Sequence, residues 1–567
     1  MSLEQETDYP WLSSYPSNVD WNAPLKPRSL PDMFDEAVAR FSALPCTYFL
    51  GKSLTYGEIG ELADQIAAGL QANGLKPGDK IGLLLPNCPY FIAFYFAALK
   101  IGCVVVNFNP LYTVEELEHQ VSDSGTTVMV SLDLNILFDK VAELLEKGTL
   151  PRAVICPFAD LLPFVKSILF KIVKRGEMAA PSASPVASAL IPFDKLVSAG
   201  TDYAPASINP KEDVAVLQYT GGTTGVPKGA MLTHANLTAN VQQVTLWFPD
   251  AEDGKERAMA VLPFFHVFAM TGIMNNGLSR GYELVLMAKF ELEDAIQLIK
   301  RKQPTILPGV PTLFNALMNH PKVNSSDLSS LKYCISGGAG LPMEIKTGFE
   351  ALASCNVVEG YGLSETSPVA TINPLGGLIK ENSIGQPLPG TVISIRDLDD
   401  PAREVARGEN GEVCIAGPQV MKGYWQNKAA TEDVMLGEFL RTGDVGHFDE
   451  DGFIYLVDRI KDIIICSGFN VYPRRIEDAI YEFPPVEEVT VIGVPDEYRG
   501  EAPKAFIKLK PGTTATKEEV LAFLKKKLSP IEMPDHFEFR DELPKTMVGK
   551  LSKKELRTEH PAPPPPG

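Results

Sequence analysis

Between residues 30 and 120 the apolar positions switch repeatedly between helical and strand spacing. Leu30 to Phe41 reads as a helix, Cys46 to Leu54 as a hairpin, Glu58 to Asn73 as a second helix and Lys80 to Leu85 as a strand, an alternation that implies layered α/β structure. The most apolar window, Phe91 to Val106, is cut by Lys100 and Gly102 and falls short of the roughly 20 apolar residues that a membrane-spanning helix needs. It reads as a buried helix followed by a buried strand. Further strands are predicted at Ala258 to Pro263, Glu283 to Met287 and Tyr333 to Ser336, with helices at Met270 to Leu278 and Asp294 to Arg301. From Ile393 the pattern changes to short alternating strands separated by Asp-Gly and Glu-Asn-Gly turns, which suggests a sheet- or barrel-like subdomain ending near Val457. An α+β module follows from Arg459 to about Arg557, and Pro561 to Gly567, with five prolines in seven residues, reads as an extended tail.

The 567 residues exceed what one core usually serves, so at least two domains are expected. The division expected is an N-terminal domain over 1–457, a C-terminal domain over 458–560 and the tail 561–567. A formal net charge of −19 argues against nucleic acid as a partner, since binding it rests on Lys and Arg neutralising phosphates. Any polyanionic ligand would then have to be held by local donors. The eight cysteines are scattered without a Cys-x-x-Cys pair, so neither a zinc site nor a disulfide framework is suggested, and a reducing cytoplasm fits. The first residues are acidic and lack the basic and apolar regions of a secretory signal.

One stretch stands apart. Read as a helix, Asp160 to Arg175 places Leu161, Phe164, Val165, Ile168 and Ile172 on one face, with Lys166, Lys171 and Lys174 away from its centre, beside an Ala/Ser/Pro-rich run from Met178 to Ala189. Such a helix either packs on its own domain, the commoner case, or lies peripherally on an anionic membrane surface.

Chemistry concentrates first in Tyr219-Thr220-Gly221-Gly222-Thr223-Thr224-Gly225-Val226-Pro227-Lys228-Gly229, entered from the apolar run Val214 to Leu217. Its glycines let backbone N–H groups turn toward one centre, while Thr220, Thr223 and Thr224 add hydroxyls and Lys228 a mobile cation, a composition suited to holding phosphate. It is not a Walker A loop, because Pro227 precedes the lysine and Gly229 follows it.

YTGGTTGVPKGAMLTH resembles the phosphate-loop signature of the adenylate-forming superfamily, which includes acyl-CoA synthetases, coumarate-CoA ligases, luciferases and amino-acid adenylation domains. Six further words stand in the order that superfamily requires. Leu262-Pro263-Phe264-Phe265-His266-Val267-Phe268 resembles the aromatic motif beside the acyl site; His266 either lines that pocket or is a packed core residue. Ser336-Gly337-Gly338-Ala339-Gly340 resembles the adenine-side loop. In Glu359-Gly360-Tyr361-Gly362-Leu363-Ser364-Glu365-Thr366 the resemblance implies that Tyr361 stacks on adenine, that Ser364 meets the α-phosphate and that Glu365 ligates magnesium. One carboxylate suffices, since Mg²⁺ completes its octahedron with phosphate and water. Arg441-Thr442-Gly443-Asp444 resembles the ribose motif, where Asp444 accepts from both hydroxyls.

Asp458-Arg459-Ile460-Lys461-Asp462 resembles the interdomain hinge, with Arg459 a second nucleotide contact and Lys461 the pivot, and Ser467-Gly468-Phe469-Asn470-Val471-Tyr472-Pro473 continues it. Pro544-Lys545-Thr546-Met547-Val548-Gly549-Lys550 resembles the last motif, whose final lysine is catalytic. The resemblance therefore implies a fold with a large N-terminal domain of layered α/β sheets, a small barrel-like subdomain and a small mobile α+β C-terminal domain. It also implies catalytic roles for Lys550, Thr223, Glu365 and His266, and a thiol channel lined by Gly468, Phe469 and Asn470.

The expected activity is ATP-dependent ligation of a medium- or long-chain fatty acid to coenzyme A through an acyl-adenylate, favoured by the likeness of TGDVGHFDEDGF, VDRIKD and SGFNVYP to bacterial fatty acyl-CoA ligases. Ligation of an aromatic or short-chain acid, or luciferase-like oxygenation, shares the same motifs and stays open. An amino-acid adenylation domain is disfavoured, because residues 264 to 268 offer no Asp to pair an ammonium. An ATP-binding sensor would have lost Lys550, Glu365 or Asp444, and all three are present.

Overall fold

The structure, a computed structural model, describes residues 9–220, 227–467, 469–496, 498–546 and 549–560. Two large sheets dominate. The seven-stranded sheet runs Leu190–Pro192, Arg152–Cys156, Thr126–Leu132, Lys80–Leu83, Val104–Asn107, Val214–Thr220 and Lys228–Thr233. It is parallel except for its last pair. In the nine-stranded sheet, Val357–Gly362, Tyr333–Gly337, Ile306–Gly309, Arg257–Ala260, Glu283–Leu286 and Pro45–Phe49 form the parallel centre, and antiparallel strands close both ends.

Helices pack on these sheets by their apolar faces, and one of them is apolar nearly all round. Every residue of Pro89–Lys100 is buried, as expected of a helix covered on both sides. Lys100 tolerates that burial because its ammonium meets Asp35 at 2.6 Å and Asp64 at 2.5 Å. Helix starts follow the local signals. Ser29 accepts from Asp32 N at 3.1 Å at the start of Leu30–Phe41, and Thr55 and Glu58 close a capping box on Tyr56–Ala72.

Where the sequence suggests a sheet- or barrel-like subdomain, Val392–Arg396, Gly411–Ala416, Met435–Leu436, Phe439–Phe448 and Ile454–Arg459 form an open antiparallel five-stranded sheet. Beyond it, strands Ile464–Cys466, Phe469–Val471, Val486–Asp496, Gly500–Leu509 and His536–Phe539 carry helices Pro473–Tyr481, Lys517–Leu524 and Lys553–Glu559. This lobe has its own core around Ile464, Ile476, Val489, Ile507, Val520 and Leu524.

Two elements differ from their sequence expectations. The apolar helix expected over Met270 to Leu278 is π-helical across Phe268–Asn275 and becomes α-helical only at Asn276–Ser279. The wider turn spreads its apolar side chains around one wall of a cavity described below. The amphipathic stretch is helical over Phe164–Val173, yet none of its residues is buried. The commoner outcome, a helix packed on its own domain by its apolar face, is not what forms.

Candidate active site

Strands Val214–Thr220 and Lys228–Thr233 pair antiparallel, with Thr220 opposite Lys228 and Tyr219 opposite Gly229. The phosphate-type loop is therefore clamped at both ends; Gly221, Gly222, Thr223, Thr224 and Gly225 lie outside the described residues. The Thr220 hydroxyl donates to the Lys228 carbonyl at 3.5 Å. On its outer side the second strand takes up residues 422 to 425, through Met231 N donating to Gly423 O at 2.9 Å and Trp425 N to Gly229 O at 2.8 Å. That places the Tyr424 ring 5.2 Å from the Lys228 ammonium. The Tyr424 hydroxyl donates to Glu365 Oε1 at 2.7 Å, so the strand carrying Lys228 and the turn carrying Glu365 are joined through one side chain.

The next two motif words sit on adjacent parallel strands, Tyr333–Gly337 and Val357–Gly362. Gly338 has φ +85°, a conformation that costs a side-chain-bearing residue. At Gly362 a Cβ would overlap the Pro368 carbonyl. Ala339 is exposed, and Ser364 opens a half-buried turn, Ser364–Thr366. The Tyr361 hydroxyl donates to Asp444 Oδ2 at 2.6 Å. Asp444, 4 % exposed, also meets Arg459 Nε through Oδ1 at 3.0 Å; the two face each other across paired strands.

The C-terminal lobe completes the cluster. Thr312 Oγ1 donates to Gly549 O at 2.8 Å, and Lys550 lies over Gly338 so closely that a Cβ there would overlap its side chain. Burial, then repulsion by Arg459, lowers the Lys550 pKa to about 8, with Asp444 opposing. His266 is half-buried, accepts from Phe268 N through Nδ1 at 3.3 Å and is held neutral: burial, then the charge of Lys550, lowers its pKa to about 3. Arg474 reaches from the same lobe over Gly340, where a Cβ would overlap its guanidinium, toward Glu359 at 3.9 Å. Burial raises the Glu359 pKa to about 7 against the pull of Arg474.

Lys461 is exposed on the single turn Ile460–Asp462 between the open sheet ending at Arg459 and the C-terminal sheet. Phe469 and Asn470 stay exposed on the hairpin of Ile464–Cys466 and Phe469–Val471, Phe469 by 65 %. They are not packed into the Lys550 cluster. Gly468 lies outside the described residues.

An apolar cavity adjoins the cluster. Phe268, Gly272, Ile273 and Asn276 form one wall, Ile306, Pro308, Ile335 and Ile372 another, and Phe248, Arg280, Tyr282 and Tyr333 also line it. Phe268 ties it to the nucleotide-type loop, since a Cβ at Gly337 would stand 3.0 Å from that ring. His266 does not line the cavity; Phe268, two residues on, does.

A family model described as AMP-binding enzyme matches residues 34–425, and one described as AMP-binding enzyme C-terminal domain matches 475–550. The chain belongs to the AMP-binding enzyme family. This AMP-binding enzyme is 41 % identical over 566 residues to a long-chain-fatty-acid–CoA ligase of Bacillus subtilis (strain 168), covering 98 % of both chains. It is 38 % identical over 563 residues to one of Escherichia coli O157:H7, covering 97 % of this chain and 98 % of that one. Among solved structures, ATP-bound MatB from Rhodopseudomonas palustris superposes with a TM-score of 0.81 at 27 % identity, over 94 % of this chain and 99 % of that one. The expected layered α/β fold with a small C-terminal lobe is what these relatives share.

Sequence reasoning missed Tyr424, Arg474 and Thr312. Arg474 directly follows the hinge-side word ending in Pro473, so its signal was adjacent. Tyr424 and Thr312 sit in no recognised word, and only the tertiary fold brings them to Glu365 and Gly549.

Proposed function

We infer that this enzyme joins a medium- or long-chain fatty acid to coenzyme A in two steps, with release of pyrophosphate and then AMP. The observation that carries the reading is the convergence of Lys550, Arg459, Asp444 and Gly338 beside an apolar cavity, in a chain similar along nearly its whole length to ligases of long-chain fatty acids.

A carboxylate is a poor acyl donor because its leaving group would be oxide. Its oxygen therefore attacks the α-phosphorus of ATP, expelling pyrophosphate and giving a mixed anhydride. Two anions must meet in that step. Lys550 supplies the cation at the point of attack, the loop donors around Thr223 and Lys228 hold the phosphates, and Asp444 takes the ribose hydroxyls. His266, kept neutral, adds no charge beside Lys550. The coenzyme A thiol then attacks the acyl carbon, and AMP leaves with the bonding electron pair.

Magnesium fits the residues present. Glu365 offers a hard carboxylate oxygen steadied by Tyr424, and among the described residues no cluster of three or more His, Cys, Asp or Glu forms a cage, as suits an ion that takes one protein carboxylate and keeps phosphate and water for the rest. When bound it supplies neutralisation of triphosphate charge.

The division at 457/458 and the pivot at Lys461 belong to the same proposal. Withdrawing Lys550 after the first step clears the acyl carbon and lets Gly468, Phe469 and Asn470 swing toward the thiol. Among the described residues no helix is long and apolar enough to cross a membrane; the location proposed is the cytoplasm, with peripheral contact on the inner face of its membrane. An acid panel scored for coenzyme-A-dependent AMP release tests the reading. Greatest kcat/KM on medium or long saturated acids is expected, and AMP release confined to aromatic or short acids would overturn it.

A further inference from the structure

Two thiols that no step of the proposed reaction uses meet at the base of the strands carrying the second and third nucleotide-type words. Cys334 lies in strand Tyr333–Gly337, opposite Val357 of the parallel strand Val357–Gly362. Cys355 lies in the turn that enters the second strand. Before it, Ser354 closes helix Met343–Ala353 in the left-handed region at φ +53°. That turn brings the Cys355 thiol 3.6 Å from Cys334 Sγ, to which it donates, and 3.5 Å from Asn356 O. Cys334 is fully buried. Cys355, 8 % exposed, stands between exposed Ser354 and exposed Asn356, whereas none of the other six cysteines exceeds 1 %.

The pair is asymmetric. When Cys355 gives up its proton, the Cys334 thiol donates back to it. That bond lowers the Cys355 pKa, while the same bond and then burial raise that of Cys334. Glu350, whose charge opposes a thiolate there, is engaged elsewhere: its Oε1 meets Lys346 at 2.5 Å and accepts from Val357 N at 2.8 Å. Thiolate character, a short path to solvent and a second thiol in contact are what a redox-active cysteine requires.

We propose that Cys334 and Cys355 are a redox modification site, joined by a hydroperoxide into a disulfide that slows adenylation and reopened by a dithiol. The Cys355 thiolate attacks one peroxide oxygen. The O–O bond breaks, and the departing oxygen takes up the proton Cys355 released and leaves as water or an alcohol, with Cys355 now a sulfenic acid. The Cys334 sulfur then attacks the Cys355 sulfur, the S–O bond breaks, and the hydroxide takes the Cys334 proton and leaves as water. Two thiols lose two electrons in all, and one peroxide bond gains them. Closure draws the sulfurs from 3.6 Å to about 2 Å apart. Side chains alternate along a strand, so Cys334 faces away from its neighbours Tyr333 and Ile335, which line the apolar cavity. A pull on Cys334 therefore moves both cavity residues and the following Ser336 to Gly338, over which Lys550 lies. Misplacement by about 1 Å at a reacting site costs up to about 10²-fold. A transient bond of this kind is the one that a reducing compartment permits.

The cross-link is read without acid or ATP and so stands or falls apart from the ligase assignment, on which only the loss of adenylation rests. Full-length enzyme is treated with hydrogen peroxide, freed of it with catalase, and denatured in a thiol-blocking reagent. Two of the eight thiols should escape blocking, the intact mass should fall by that of two hydrogen atoms, and a peptide map without reductant should find Cys334 joined to Cys355. Acid-dependent pyrophosphate exchange should fall by about ten-fold or more and return with dithiothreitol. Cys355→Ser should exchange like the reduced parent and not respond to peroxide. Cys334→Ser should stop at the Cys355 sulfenic acid, which dimedone traps, a reading that needs no activity. A parent without the cross-link, a cross-link joining other cysteines, or Cys355→Ser as sensitive to peroxide as the parent would overturn the proposal. So would fully cross-linked enzyme that exchanges at the reduced rate.

Discussion

Raising the pH from 7 to 9 should suppress the adenylation half-reaction through Lys550. Its amine stands over Gly338 with a pKa lowered to about 8, chiefly by burial and next by Arg459, against the pull of Asp444. At that value about nine-tenths of the lysine is charged at pH 7, half at pH 8 and about one-tenth at pH 9. If only the ammonium stabilises charge at the α-phosphate, kcat/KM for ATP in acid-dependent pyrophosphate exchange falls about ten-fold over that interval, because this ratio reports the free enzyme. Unfolding would not produce the same trend. The folded pKa lies below the ordinary 10.5, so the unfolded chain binds the proton more tightly and this residue adds stability as pH rises from about 8 toward 10.5. Lys461, although exposed on its turn, also has a pKa lowered to about 8, by partial desolvation and then Arg459, so variants must separate the two. Lys550→Arg should move the descending limb out of range. Lys550→Ala should cut exchange by about 10²-fold or more and flatten the profile, leaving attack of coenzyme A on supplied acyl-adenylate intact. Exchange at the parental rate in Lys550→Ala, or an unmoved limb in Lys550→Arg, would refute the assignment.

Glu365→Gln should shift the magnesium titration of adenylation to higher concentration, since an amide is a poorer ligand for a hard dication; an unchanged titration places the ligand elsewhere. Gly338→Ala adds a Cβ at φ +85° that overlaps Lys550, and should lower pyrophosphate exchange by about ten-fold or more while sparing the thioester step measured from supplied acyl-adenylate. Lys461→Pro fixes φ near −65° and restricts Ile460, so one lobe orientation should be trapped, with exchange largely kept and thioester formation mostly lost; both half-reactions at parental rates would move the pivot elsewhere. Gly272→Leu places a side chain in the cavity beside Phe268 and should lower kcat/KM for a long acid relative to a medium one by about ten-fold, read by AMP release.

How much of this was legible in the sequence depends on the range of the forces involved. Helix Leu30–Phe41 has the expected limits because its start is set locally, by the Ser29 cap and Pro31. The strand entering the phosphate-type loop was legible in the apolar run Val214 to Leu217. The π-helical turn at Phe268–Asn275 was not, because an apolar stretch reads alike at either helical pitch. Nor could periodicity say which way the apolar face of Phe164–Val173 would point, since amphipathicity fixes a face and not its partner. In the site, Asp444 and Lys550 could be named from their words. Tyr424 could not, because its contact with Glu365 spans 59 positions and exists only once strand Lys228–Thr233 has paired with residues 422 to 425.

On the proposal that Lys550 serves the first step and then withdraws, the contacts between the lobes bear on how it does so. Lys510 meets Glu344 at 3.1 Å with both side chains more than a third exposed, a kind of pair that contributes about 0–1 kcal/mol. Arg474 and Glu359 stand 3.9 Å apart, too far for a direct hydrogen bond. Thr312 to Gly549, at 2.8 Å, is a single neutral hydrogen bond, worth about 1 kcal/mol net. Against these, the C-terminal lobe holds its own strands and helices together with a fully buried cluster around Ile476, Val491, Ile507 and Leu524. Parting the lobes therefore exchanges weak, solvent-replaceable contacts, whereas deforming the C-terminal lobe would open its core. Motion that removes Lys550 from Gly338 should take the whole lobe as one body about residues 460 to 462, and the bare backbone of Gly338 and Gly340 leaves the path of Lys550 and Arg474 clear in both directions.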